Sequence, residues 1–196
     1  MRHRASIFFV SLFLLSFAAR ASAYPSWMSE DRSGRFMFNF KSGLASGARD
    51  AITMGAIVLD FGIALDEAKR AYLLFPLQFQ FADVNYFVLG SGGDFTVGYI
   101  MVPLGFEYDI PIHALPGFSI APRLVAGYAA LTSSCSGCNT ANAGFIAPEV
   151  DLKMTLAKRW NVGLEPFSLP VFIASSNGNT ATSISYRILF FGGVNF

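Results

Sequence analysis

Apolar and polar residues alternate with period two along most of this chain, the mark of strands whose two faces meet different surroundings. The last segment shows it best. Thr182, Ile184, Tyr186, Ile188, Phe190, Val194 and Phe196 fall on one side, and Ser183, Ser185, Arg187 and Asn195 on the other, with Leu189 and Phe191 intruding. Gly192 and Gly193 predict a bend or a close backbone approach there. Seven earlier segments read the same way. Phe36, Phe38, Phe40 and Leu44 alternate with Met37, Asn39, Lys41 and Gly43. Ile57, Leu59, Phe61, Ile63 and Leu65 alternate with Asp60, Gly62 and Ala64. Leu73, Phe75, Leu77, Phe79 and Phe81 oppose Gln78 and Gln80. Ile100, Val102, Leu104, Phe106, Tyr108 and Ile110 oppose Glu107 and Asp109. Phe118, Ile120, Leu124 and Tyr128 oppose Ser119, Arg123 and Gly127. Ile146, Val150, Leu152, Met154 and Leu156 oppose Glu149, Asp151, Lys153 and Thr155. Trp160, Val162 and Leu164 oppose Asn161, Gly163 and Glu165, and beyond Pro166 the parity of that strand is lost.

Eight strands follow, and their connections alternate in length. Residues 66–71, 113–116 and 157–159 are short links; residues 83–94, 133–142 and 175–181 are longer and rich in Gly, Ser and Asn. Only the first hairpin, near Gly47 to Asp50, departs from this rule. Short turns at one rim and longer loops at the other are the layout of a barrel that spans a membrane. No stretch of 18 apolar residues follows the N-terminal region, so crossing by helices is not expected. The predicted fold is all-β: a closed, eight-stranded, antiparallel up-and-down transmembrane β-barrel. Prolines resist this reading, because Pro76, Pro103, Pro122, Pro148, Pro166 and Pro170 sit within proposed strands and each removes a ladder hydrogen bond. Bulges are the expected remedy.

Composition decides which face is wet. Hydrophobic residues make up 53% and charged residues 14%, with a mean hydropathy of +0.46, whereas soluble domains carry about 25% charge. A soluble lipocalin-like barrel needs a more charged outside than these strands supply. The polar sides hold Lys41, Asp60, Glu107, Asp109, Arg123, Glu149, Asp151, Lys153, Glu165 and Arg187, a mixture of signs that suits ion pairing in a narrow, side-chain-filled lumen. Tyr72, Tyr99, Tyr108, Tyr128, Trp160 and Tyr186 are candidates for interfacial girdles.

The N-terminus assigns a compartment. Met1 to Arg4 is basic, residues 7–17 are apolar, and Ala21-Ser22-Ala23 is a small-x-small triplet, so 1–23 reads as a secretory signal peptide. Residues 24–34 read as a periplasmic leader and 35–196 as the barrel. Export favours a loop disulfide between Cys135 and Cys138, spaced C-x-x-C among Ser, Gly, Asn and Thr. A zinc site there lacks two further ligands.

Over residues 35–196 the chain resembles the small outer-membrane β-barrel proteins of Gram-negative bacteria, the OmpA/OmpX-like and OmpW-like superfamily. The resemblance rests on the signal peptide, the eight amphipathic strands, the segment Lys158 to Glu165 (KRWNVGLE), and the terminal Phe196 with Val194 two residues before it. It implies that Val194 and Phe196 form the signal read by the barrel-assembly machinery. It also implies outer-membrane localisation, with the lipid bilayer and lipopolysaccharide as surroundings. No cofactor, metal or nucleic-acid partner is expected, and a monomer is.

Two roles remain open at this stage. One is a non-enzymatic structural or surface-interaction barrel. The other, OmpW-like, is a narrow channel or lateral-release transporter for small hydrophobic molecules, suggested by the prolines and by Met101 and Val125 on the inward side. Enzymatic activity is not expected. The barrel acyltransferases and deacylases of lipid A place a His beside Ser and an acid, but the only histidine beyond the signal region is His113, in a short turn.

Overall fold

The computed structural model describes residues 32–47, 53–83, 96–133, 141–176 and 179–196. The signal segment, most of the leader, and the Cys135 and Cys138 pair lie outside the described residues. The described residues form eleven strands: β1 (Phe36–Gly47), β2 (Thr53–Ala64), β3 (Ala71–Leu74), β4 (Leu77–Asp83), β5 (Thr96–Tyr108), β6 (Ile110–Pro111), β7 (Phe118–Ser133), β8 (Ala141–Leu156), β9 (Trp160–Ser168), β10 (Val171–Ser176) and β11 (Asn179–Asn195). They contain no helix long and apolar enough to cross a membrane.

All eleven belong to one antiparallel sheet. β1 pairs with β2, β2 with β3 and β4, both of these with β5, β5 with β7, and β7 with β8. β8 pairs with β9 and β10, and both of these pair with β11. β11 then pairs with β1, from Met37↔Asn195 to Gly47↔Ser185, so the succession of pairings returns to its start. Gly193 permits this last pairing at its end. A Cβ there would lie 2.0 Å from Asn39 Oδ1 and 2.3 Å from the Phe38 carbonyl oxygen.

Three of the expected strands are interrupted. Leu73 to Phe81 is not one strand: it breaks at Phe75-Pro76 into β3 and β4. The strand expected from Ile100 to Ile110 stops at Tyr108, so Asp109 lies between β5 and β6 rather than within a strand. The seventh strand ends at Ser168 and resumes at Val171. Its lost parity has a local cause. Glu165 stands opposite Leu189 and Ser168 opposite Arg187, three residues against two, which is a bulge. The same slip appears against β8, where Val150 faces Phe167 and Leu152 faces Leu164. Pro166 occupies the slip, and both Glu165 and Ser168 are buried.

The prolines therefore gather where the ladder is already broken. Pro76 and Pro170 fall in the gaps between strands. Pro103 stands on β5 between Met101, which pairs with β4, and Gly105, which pairs with β3. Pro148 faces the other gap, its carbonyl accepting from the Leu169 N–H at 3.1 Å. Because N–H and C=O of one strand residue point the same way, the donor that Pro148 lacks is missing from the gap side. Pro122 stands on β7 between Ile120, which pairs with β6, and Arg123, which pairs with β5; bulging thus accounts for Pro166 alone, and strand interruption for the other five.

Three turns share one rim of the sheet. In the turn 65–70, Asp66 Oδ1 accepts from the backbone N–H groups of Arg70 (2.8 Å) and Ala71 (2.9 Å), and Lys69 has φ +54°. The turn 112–117 closes with Gly117 at φ +79° and Phe118 N–H on the Leu115 carbonyl at 2.9 Å. The turn 157–159 holds Ala157 and Lys158 at φ +48° and +61°, the left-handed pair that matches strand twist in a tight hairpin.

Burial follows the alternation and inverts the usual order. Phe190 is 67% exposed, Val102 62% and Leu44 61%, while Lys41, Asp60, Asp151 and Lys153 are wholly buried.

Candidate functional site

The ten ionisable residues singled out in the strands are all buried. Their positions follow from parity: each occupies the face opposite a run of exposed Phe, Leu or Ile. The sheet brings them together from β1, β2, β5, β7, β8, β9 and β11.

Arg123 on β7 sits at the centre. Its Nη1 and Nη2 donate to the two carboxylate oxygens of Asp60 at 2.8 and 3.0 Å, and Nη1 donates to Asp151 at 3.1 Å. Its Nε lies 3.5 Å from Glu107 and 3.4 Å from Glu149. Lys41 on β1 donates to Asp151 (2.7 and 2.9 Å) and Glu165 (2.7 Å), and approaches Asp60 at 3.4 Å. Its ammonium also stands 5.0 Å from the Phe191 ring centre, within cation–π range. On one side of Arg123, Lys153 donates to Glu107 and lies 3.2 Å from Asp109. On the other, Arg187 donates to Glu149, to the Gln78 side-chain Oε1 at 2.6 Å and to Ser168 Oγ at 2.9 and 3.1 Å.

Every charge in this cluster has an opposite within reach, which is the condition for keeping ions out of water. An unpaired member costs several kcal/mol, roughly, whereas paired and hydrogen-bonded groups approach balance. The arrangement blocks space and fixes strand neighbours. Among the described residues no group of three His, Cys, Asp or Glu side chains is placed to hold a metal ion. His113 lies exposed in the turn 112–117.

Parity alone does not disclose several members. Arg32, assigned to the leader, turns its guanidinium onto Asp109 and lies 5.6 Å from the Tyr72 ring centre. Lys69 Nζ donates to the Arg32 carbonyl at 2.6 Å, and Ser33 Oγ to the Asn195 carbonyl at 3.1 Å. This short segment packs against the turn end of the sheet. Asn161 and Asn195 exchange side-chain amide hydrogen bonds at 3.0 and 3.1 Å beside Thr155. A run of two or more exposed or polar residues carries no periodic signal, so Arg32 had none to give. Asn161, Asn195 and Gln78 were visible as inward positions but not as partners.

The inner face is layered. Toward the ends of the strands remote from the three turns, buried residues become mostly apolar, with Gln80 and Ser185 the polar ones among the described residues. Met101, Val125, Ala129, Phe145, Ala147 and Phe172 pack together with Tyr99. The Tyr99 and Phe172 rings stack at 5.3 Å. The two apolar residues expected inward, Met101 and Val125, belong to this layer. Val194 is half-buried and Phe196 exposed, side by side with Phe36 and Phe38 of β1.

At the turn rim, burial slightly opposes ionisation of Asp66. The N–H groups of Ala71 and Arg70 outweigh it and hold the carboxyl below its ordinary range.

No protein-family model matches the chain, and no curated protein matches it in sequence. Among solved structures it is similar to Neisserial surface protein A (NspA), with 14% identity and a TM-score of 0.46 over 82% of this chain and 96% of that one. It is also similar to a structure from the de novo design of transmembrane β-barrels, with 10% identity and a TM-score of 0.36 over 82% of this chain and 98% of the other.

Proposed function

We propose that this chain is an integral outer-membrane β-barrel protein of the OmpA/OmpX-like or OmpW-like kind, exported by residues 1–23. Its sheet closes between β1 and β11 into eight staves, three of them interrupted. Its role is structural or surface-interacting rather than enzymatic, and the cluster around Arg123 fills its lumen. It works as a monomer, reaching the membrane through the assembly machinery by way of Val194 and Phe196.

One observation carries this reading: the inversion of faces. Phe40, Phe61, Val102, Leu104, Leu124, Phe190 and their neighbours form a continuous exposed apolar surface. In water such a surface greatly exceeds the few hundred Å², roughly, that monomeric soluble proteins show. In hydrocarbon it is the expected exterior, and a cyclic ladder leaves no edge groups to solvate. Fractionation of expressing cells, with gel mobility compared before and after boiling, tests both parts. A barrel sediments with outer membranes and shifts its band on heating. Protein that stays dissolved without detergent overturns the reading.

A second reading has its own support. The apolar layer of Met101, Val125, Phe145 and Phe172 suits small hydrophobic guests entering from the long-loop side, with release past the interrupted strands. The charge cluster opposes a continuous apolar path. Planar-bilayer conductance and liposome swelling decide: a silent barrel eliminates transport of small polar solutes, and unchanged uptake of a hydrophobic dye eliminates the rest.

A further inference from the structure

The cluster around Arg123 is paired contact by contact but not in sum. Six acids are buried in it, Asp60, Glu107, Asp109, Glu149, Asp151 and Glu165, none more than 2% exposed. Among the described residues the cations that meet them are Lys41, Arg123, Lys153 and Arg187, with Arg32 reaching Asp109 from the turn end. With every group ionised, five positive charges stand against six negative ones. The contacts show which acid is in excess. Asp60 takes both terminal nitrogens of Arg123, and Asp151 takes Lys41 on both oxygens. Glu149 and Asp109 each accept from an arginine and from a serine hydroxyl. Glu107 accepts from Lys153, and its second oxygen, though not hydrogen-bonded, lies 3.5 Å from Arg123 Nε. Glu165 is the least served. Its Oε2 accepts at 2.7 Å from Lys41, an ammonium it shares with Asp151 and Asp60, and lies 3.9 Å from Arg123 Nη1. Its Oε1 is buried without a hydrogen-bond partner.

We propose that the folded sheet binds one proton in this cluster, on Glu165, and takes it from the surrounding water as it closes. An ionised carboxylate kept from water without a cation of its own is far more costly than the neutral acid, even where the O–H finds no acceptor, so the group stays neutral. A metal ion does not fit in its place, because among the described residues no three His, Cys, Asp or Glu side chains are placed to hold one. The charged groups that face Glu165 are Lys41 from β1, Arg123 from β7, Glu149 and Asp151 from β8, and Arg187 from β11. Asp60 from β2 stands behind Lys41 and Arg123. The two cations nearest Glu165 are thus already engaged by other acids. In the unfolded chain a hydrated glutamate releases its proton well below neutral pH. Closing the sheet and capturing the proton are therefore one event, and a mildly acid medium favours it. The site depends on burial alone and holds whatever covers the outer face.

Infrared spectra of the refolded protein read the proton directly, because the carbonyl of a protonated carboxyl absorbs apart from a carboxylate. At neutral pH the unmodified chain is expected to show a protonated carboxyl that Glu165→Gln lacks. The amide stands in for the neutral acid, so Glu165→Gln is expected to fold and to keep its heat-shifted band. Urea unfolding as a function of pH gives a second readout. The folded chain holds one proton more than the unfolded one, so rising pH favours unfolding. From about pH 6 upward, the folding constant of the unmodified chain is expected to fall about tenfold per pH unit against that of Glu165→Gln, until the site gives up its proton. Every other titrating group is common to both chains and cancels in this comparison. Absence of a protonated carboxyl at neutral pH overturns the site, and so does a band that survives in Glu165→Gln. Failure of that variant to fold, or parallel pH profiles of the two chains, overturns it as well.

Discussion

Replacing Arg123 with Met keeps most of the side-chain volume and deletes the central charge. Asp60 then loses two hydrogen bonds of 2.8 and 3.0 Å and retains only Lys41 at 3.4 Å. Asp151 keeps Lys41 but loses its 3.1 Å contact, and Glu149 and Glu107 lose a cation at about the same remove. A buried ion pair broken from one side costs about 3–5 kcal/mol, because the stranded partner cannot rehydrate. On a solvated face the same change costs about 0–1 kcal/mol. Urea unfolding of the refolded protein in lipid, followed by the heat-shifted band or by tryptophan emission, separates these ranges. The companion change Asp60→Asn neutralises the stranded carboxylate. Arg123→Met with Asp60→Asn is therefore expected to cost less than the sum of the two singles. A loss below about 1 kcal/mol for Arg123→Met, or strict additivity in the double variant, refutes the buried-cluster argument.

Arg substituted for Leu124, on the exposed apolar band between Tyr128 and the turn end of β7, is expected to cost about 2–4 kcal/mol, and Arg for Tyr108 beside the turns about 0–1 kcal/mol; equal urea midpoints contradict the assigned depth. Gly193→Val puts a β-branched side chain where a Cβ already meets Asn39 Oδ1 at 2.0 Å. It should open the pairing of β1 with β11 and abolish the heat-shifted band. Arg32→Ala leaves Asp109 with Lys153 at 3.2 Å and the Ser119 hydroxyl at 3.4 Å and is expected to lower stability by about 1–3 kcal/mol, read in the same urea series. The lowered Asp66 carboxyl stabilises the turn 65–70 fully above the ordinary aspartate value of 3.8 and loses that contribution as pH falls through its lower folded value. The midpoint gap between the unmodified chain and Asp66→Ala should therefore shrink on acidification and hold constant from pH 5 to 7.

Facing was legible because each strand has two unlike environments and the side-chain period is two. From Phe36 to Lys41, or from Glu149 to Leu156, a residue's neighbours two away name its side. Depth and partnership were not legible, since both depend on stagger between strands distant in sequence. Arg123 and Asp60 are 63 residues apart, and nothing local in either strand announces the other. The breaks at Phe75-Pro76 and Leu169-Pro170 were signalled by proline, but the same residue type at Pro122 lies within an unbroken pairing with Val150. Proline marks a place where one donor is missing. A strand can run on through it where the chain on one side has itself stopped, as at Pro103, Pro122 and Pro148. Arg32 escaped notice because a guanidinium that folds back from a leader obeys no alternation.

The extra residue at Pro166 sets the phase of everything after it. Before it, odd-numbered positions of that strand point inward; after it, Ser168, Pro170 and Phe172 do. Removing one residue there shifts the frame by half a wavelength. Phe172 would trade places with Ile173, and the hydroxyl that receives Arg187 would turn to the outside. Insertions and deletions in this region are therefore inversions in disguise, and homologous chains that align through it need to conserve its length before they conserve its letters.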